Sequence, residues 1–391
     1  MSEETETKAV GVGVIGCGAR IQKIFTNIHS KHPEIELRAL CDPLSASIDR
    51  TRQAFNPNAR IYEDYRQLVA DPAIDWVMIG SWNCFHRDHT VTALDAGKDV
   101  FCEKPLATSL KHCLEMREAW KRSGRQFSLG FVLRYSPFYQ KVRKLIENGA
   151  VGKIVSFEFN ETIDFNLATL IHGGWRHSRD NAGTFILEKC CHDLDLANWM
   201  TGSIPLRVAS FGGLDIFKPE NNYLVDKLGH DRDGRRAYTV KSANANQVGD
   251  PFTTEQSIVD NQVVILEYAN GVRGTFHTNC QAGILERRFY ILGTEGAIRA
   301  DIISGRLEIQ QVGFNKPREI IEYPNSGGHY GSDKFLAESL AQLFHHQTQP
   351  MAGIEEGIKS AVIAFAIDQA LDEKCIVELT PLWDKVGIPC C

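Results

Sequence analysis

Short apolar runs alternating with polar, helix-spaced stretches dominate the first third of the chain. Residues 9–15, 35–40, 76–80 and 99–102 are apolar runs too short for helices and continuous enough for strands buried on both faces. A helical pattern runs from about residue 86 to 96 between the last two. Strands and helices in that order predict a doubly wound parallel sheet. Further along, residues 154–159, 263–268 and 289–292 suit strands of a second, larger sheet. An apolar stretch at 361–371, downstream of Pro350, reads as part of a C-terminal helix near 351–372 that packs back on the core. Residues 218–256 are polar, rich in Asn, Asp and Gly, and without clear periodicity. That is longer than common connections, and a lid or interface element is expected there.

The first strand runs into GVGVIGCGARI, residues 11–21. A formal G-x-G-x-x-G exists at Gly11, Gly13 and Gly16, but its first two glycines fall inside the strand, away from the tip where a phosphate is held. The turn therefore starts at Gly16, and Gly18 lets the backbone approach a pyrophosphate at the N-terminus of the next helix, which opens with Ala19 and Arg20. Ile21 stands where a third glycine normally allows close helix-to-strand packing, so a slightly displaced helix is expected. The second strand ends in Cys41-Asp42-Pro43, which places a carboxylate a little over about 20 residues after the turn. Asp42 suits a ribose diol, repels a 2'-phosphate and has no arginine immediately after it, so NAD is favoured over NADP.

Composition narrows the classes. The 391 residues allow two domains, and a formal net charge of -6 without a basic block argues against nucleic acid as a partner. No apolar run approaches the roughly 20 residues of a membrane span, and the acidic start MSEETETK lacks a signal-peptide core, so a cytoplasmic protein is expected. Eleven cysteines, scattered and odd in number, read as reduced thiols. Cys190, Cys191 and His192 have no C-x-x-C partner at zinc spacing, and no metal site is expected.

The stretch IGSWNCFHRDHTVTALDAGKDVFCEKPLATS, residues 79–109, resembles the Gfo/Idh/MocA oxidoreductase family. That family's T-P-N-x-x-H, A-L-x-A-G-K-x-V and E-K-P blocks are matched by Ser81-Trp82-Asn83 with His86, by Ala93-Leu94 with Ala96-Gly97-Lys98, and by Glu103-Lys104-Pro105. Only the Thr-Pro pair differs. Further blocks follow at GFVLRY (130–135), Trp175-Arg176, HDLDLANWMTG (192–202), GTEG (293–296) and GGHYGSD (327–333). The resemblance implies an α/β protein: an N-terminal Rossmann domain over 1–127, then a C-terminal α/β domain over 128–391. The latter's large open mixed or antiparallel sheet would supply substrate contacts and a subunit interface. A homo-oligomer, dimer or tetramer, is implied.

The resemblance also implies chemistry. Lys104, at the carboxyl edge of a buried strand, and His192 would act as the acid/base pair for hydride transfer between NAD and a secondary hydroxyl of a sugar, glycoside or cyclitol. Ser81, Trp82, Asn83, His86 and Glu103 would lie along the cofactor, and Arg134, Tyr135, Trp175, Arg176 and His177 near substrate, with Arg176 able to reach either. Helical phase puts Glu188, His192, Asp195 and Trp199 on one stripe, with Asp195 in a supporting role. Glu188 stands where the family usually has an aspartate that contacts substrate. The alternative is an NAD-dependent glycoside hydrolase that oxidises, eliminates, adds water and recycles its cofactor. It needs a further base and acid, from Glu188, Tyr135, His177 or His329. A non-catalytic NAD-binding sensor is disfavoured because both acid/base positions are filled.

Overall fold

The computed structural model describes residues 9–240 and 248–390. By its contacts the chain forms two compact units, one of residues up to Tyr135 together with Gly327–Ile358, the other of Ser136–Ser326 and the residues from Lys359 onward. Residues 128–135 and the later segment Gly327–Ile358 thus cluster with the first unit.

In the first unit, β1 (Val10–Ile15), β2 (Ile35–Cys41), β3 (Arg60–Ile61), β4 (Trp76–Ile79), β5 (Asp99–Cys102) and β6 (Phe127–Leu129) pair in the order β3-β2-β1-β4-β5-β6. Every pair is parallel. All positions of β1, β4 and β5 are buried, as a sheet covered on both faces requires. The later segment belongs here for a packing reason. Trp76, fully buried on β4, stacks on Phe344 with ring centroids 4.5 Å apart and donates its indole N–H to the Phe344 carbonyl. The Leu129 amide likewise donates to the carbonyl of Ala352. Helix Ile354–Glu373, expected near 351–372, begins in this unit and continues into the other.

The second unit holds a nine-stranded sheet built from β7 (Ile154–Thr162), β8 (Pro205–Gly213), β9 (Asn261–Tyr268), β10 (Arg273–Asn279), β11 (Arg288–Gly293), β12 (Gly296–Asp301), β13 (Arg306–Gln311), β14 (Arg318–Glu322) and β15 (Val377–Glu378). Their order is β14-β13-β12-β11-β7-β10-β9-β8-β15. β7 and β10 run parallel and the other pairs antiparallel, so the sheet is mixed. Burial alternates along β9 and β10, the signature of a sheet covered on one side. The covered side carries an aromatic row, Phe157, Phe159, Phe276 and Phe289, with Phe159 stacked on Phe289 at 5.3 Å. On the other side Phe211, Val263 and Ile265 stay exposed, and Phe211 lies directly opposite Val263.

The polar stretch 218–256 is anchored in this unit at its described ends. Phe217 stacks on His172 at 4.4 Å and meets Phe252, which in turn meets Tyr238 at 4.8 Å, and all four are buried. Residues 241–247 of that stretch lie outside the described residues. Among the described residues no helix is long and apolar enough to cross a membrane, no group of side chains is arranged to hold a metal ion, and ten cysteines are free.

Candidate active site

The carboxyl edge of the six-stranded sheet gathers most of the residues singled out in the first unit. Gly16 follows β1 with φ +85°, and a Cβ there would come within 2.3 Å of the Ser81 amide nitrogen. Only glycine makes this turn without strain. Gly18 is different: its φ is -71°, a Cβ would meet nothing within 4 Å, and it precedes helix Ala19–His29 without a side-chain cap. A helix N-terminus that no side chain caps is where backbone amides receive an anion. Asp42 ends β2 and folds back on the turn, accepting from the Cys17 amide at 2.7 Å and the Leu44 amide at 2.8 Å. Its remaining lone pairs are what a ribose diol requires. Room for Ile21 comes from across the sheet, because a Cβ on Gly80 would lie 2.1 Å from the Ile21 side chain. The third glycine of the fingerprint is supplied by β4's own end.

Beyond β4 and β5 the loops are stitched together by His86. Its Nδ1 lies 2.8 Å from the Pro105 carbonyl oxygen and its Nε2 3.2 Å from that of Ser81, and burial pushes the imidazole below its ordinary pKa. Trp82 remains exposed and Asn83 is buried. Glu103 and Arg20, both expected along a cofactor, bind each other: Arg20 Nε donates to Glu103 Oε1 at 2.8 Å. Arg20 Nη1 donates to Asp333 Oδ1 at 2.6 Å, and His329 Nδ1 lies 2.8 Å from the same oxygen. Burial opposes charge on Asp333, yet its contacts with His329 and Arg20 hold the carboxyl well below its usual range. Asp333 was not singled out from the sequence, although the GGHYGSD block contains it. Lys104 sits next to this clamp and is half-buried. Arg134 donates to the Met351 carbonyl at 3.0 Å, and Tyr135 is buried at 3 % exposure.

In the second unit, helix Phe185–Thr201 carries Glu188 and His192, 6 % and 4 % exposed. Arg176 Nε donates to Glu188 Oε1 at 2.8 Å while its guanidinium lies 4.3 Å over the Trp175 ring. The structure thus joins three of the residues expected near substrate. His177 turns to the 250s segment, with Nδ1 2.8 Å from the Glu255 carbonyl oxygen. The helix starts at Thr184, whose hydroxyl accepts from the Leu187 amide and donates to Asp368. Asp368 is buried, and burial, only partly offset by Thr184, pushes its carboxyl up to about 7.

Residues 10–131 match the oxidoreductase family's NAD-binding Rossmann-fold model, and residues 139–299 match the Gfo/Idh/MocA C-terminal domain. The chain belongs to the Gfo/Idh/MocA oxidoreductase family. Relatives include the putative oxidoreductase YteT of Bacillus subtilis, 25% identical over 83% of this chain and 85% of its own. Another is an inositol 2-dehydrogenase/D-chiro-inositol 3-dehydrogenase of Lactiplantibacillus plantarum, 28% identical over 76% and 72%. Among solved structures, levoglucosan dehydrogenase in complex with NADH and levoglucosan aligns with TM-score 0.77 at 19% identity, covering 95% of this chain and 99% of its own. At that identity the likeness concerns the fold. As a Gfo/Idh/MocA member the protein is an NAD-dependent oxidoreductase. The site fits that cofactor: Gly16, Gly18 and the uncapped helix for the pyrophosphate, Asp42 for a ribose.

The two glycines are expected to fail differently. Gly16→Ala forces a left-handed backbone at a cost of about 1–2 kcal/mol before any clash, so melting temperature and NAD affinity should both fall. Gly18→Ala should melt like the wild type yet bind NAD roughly tenfold or more weakly by calorimetry, because the added methyl occupies the phosphate's space. Equal effects in both variants would contradict this division.

Asp368 gives a pH signature. Its folded pKa, about 7, lies above the ordinary carboxylate value, so its stabilising contribution is complete below about pH 4 and is lost as pH rises to 7. Asp368→Asn keeps an acceptor for Thr184 and removes the titration. The variant's stability advantage should grow from near zero at pH 4 to at most about 4 kcal/mol above pH 7 in denaturant melts. A constant difference across that range would refute the assignment.

Proposed function

We propose that this oxidoreductase transfers hydride between NAD and a secondary hydroxyl or its ketone on a sugar, glycoside or cyclitol. The observation that carries the reading is the pairing of Arg176 with Glu188, which lies on the His192 helix. A carboxylate held by a guanidinium, next to an imidazole four residues on, can orient vicinal hydroxyls through charge-assisted hydrogen bonds and is ill suited to an apolar ligand. The inositol dehydrogenase relative supports the same substrate class.

In this proposal the bound NAD supplies the hydride acceptor or donor. Lys104 and His192 hold and move the hydroxyl proton, Glu188 and Arg176 orient neighbouring hydroxyls, and the glycine turn, Asp42 and the Ser81–Asn83 loop seat the cofactor. The hydrolytic alternative needs a further base and acid beyond the Lys104–His192 pair, whereas hydride transfer needs neither. The dehydrogenase reading therefore stands first.

We also propose a homo-oligomer, dimer or tetramer, assembled through the open face of the nine-stranded sheet, and a cytoplasmic setting in keeping with the free thiols. Phe211, Val263 and Ile265 form an exposed apolar cluster on that face, and Leu292 and Ile320 extend the same side.

Incubation with NAD and a panel of sugars, cyclitols and aryl glycosides, following NADH absorbance and aglycone release together, tests the reaction. NADH formation without aglycone is the expected result, and catalytic aglycone release without net NADH would overturn it. Lys104→Met and His192→Gln should each lower kcat by about 10²–10⁴-fold, and wild-type turnover in both would remove them from the mechanism. For assembly, light scattering should report a dimer or tetramer that Ile265→Lys converts to monomer; a monomeric wild type would refute the interface.

A further inference from the structure

The helix Phe185–Thr201 is buried on almost all sides, and beside Glu188 and His192 it carries a second charged pair, Lys189 and Asp193. These sit about 100° further round the helix, level with the first pair. Lys189 Nζ donates to Glu161 Oε1 at 2.8 Å. Arg287 Nη1 reaches that same oxygen at 3.1 Å, and Arg287 grips Asp193 with both Nε at 2.9 Å and Nη2 at 2.7 Å. Arg287, Glu161 and Asp193 keep only 3, 6 and 0 % of their side-chain surface exposed. Burial works against charge on Glu161, but Arg287 and Lys189 outweigh it and hold its carboxyl below the usual range.

Such a quartet is a costly way to attach a helix to a sheet. Apolar residues of similar volume usually do as well or better, and Phe157, Phe159 and Phe289 are buried on the same sheet face. What the charges add is geometry. A guanidinium fork accepts a carboxylate in one plane and at one distance, and the Lys189–Glu161 pair fixes a second point one helical turn earlier. Two fixed points determine the helix's rotation about its axis as well as its axial register, whereas a greasy contact tolerates both slide and roll.

We infer that Glu161, Lys189, Asp193 and Arg287 are positioning residues: together they lock the rotation of this helix, so that His192 and Glu188 keep a single orientation for the hydroxyl chemistry. The catalytic half of this inference rests on the role proposed above for His192; the locking itself does not.

The test uses the full chain with its histidine rings isotope-labelled, the His192 signal being assigned by its loss in His192→Gln. Two variants preserve bulk and should fold: Lys189→Met removes one fixed point, and Arg287→Lys keeps the charge but removes the fork. Both should shift or broaden the His192 ring signal and change its titration midpoint. Both should also lower kcat by about ten- to a hundredfold on the hydroxyl substrate, the penalty of a misplacement approaching 1 Å. NAD affinity should stay within about twofold, since the glycine turn is untouched. An unchanged His192 signal in both variants would overturn the inference, as would full retention of function in Arg287→Lys, which would show that charge alone suffices. If His192→Gln itself retains wild-type turnover, the acid/base reading falls, and the ring signal in the other two variants still decides the locking.

Discussion

A buried charge must find its partner, and in this protein that constraint shapes the helix that carries the proposed chemistry. Phe185–Thr201 is enclosed like a core helix, yet Glu188, Lys189, His192, Asp193 and Asp195 all point from it into protein. Desolvation of any of these groups without compensation would cost more than an ordinary side-chain contact returns. Arg176, Glu161 and Arg287 supply that compensation to Glu188, Lys189 and Asp193 from three other segments. Even the helix start is polar at depth, with Thr184 held between the Leu187 amide and Asp368.

The first unit meets the same constraint at its sheet edge. Arg20 leaves the glycine turn and binds Glu103 at the end of β5 and Asp333 from the returning segment. That pairing ties the glycine turn to the segment just after β5, one residue before Lys104. Backbone amides, by contrast, can receive an anion without a counter-ion and without competing with Glu103 or Asp333 for charge.

Much of this unit was legible in the sequence because its information is local. A strand that ends in a glycine turn, a second that ends in aspartate and a third that runs into Glu-Lys-Pro each combine a short apolar run with the residue right after it. The true turn at Gly16 and Gly18 could be told from the earlier glycines for that reason, and Gly11 and Gly13 do lie inside β1. The substitution of Ile21 for glycine was visible, but its remedy at Gly80 was not, since only the register of β1 with β4 brings the two together. The charged partnerships were invisible for the same cause. Asp333 and Arg20 are 313 positions apart, Arg287 and Asp193 are 94 apart, and helical phase by itself names no partner for Lys189 or Asp193. The place where the first unit ends was also hidden, because nothing in residues 128–135 announces that Trp76 will later be covered by Phe344.

That covering has a consequence for how the molecule comes into being. The first unit is built from two stretches separated by most of the second, so a ribosome that has released the glycine turn has not yet made Phe344, Ala352 or the Asp333 that Arg20 requires. A nascent chain emerges from its N-terminus, and domains that are continuous in sequence can close in that order. Here the half that begins first is completed only after nearly all of the other has been synthesised, and until then its Trp76 and Arg20 wait without their final neighbours.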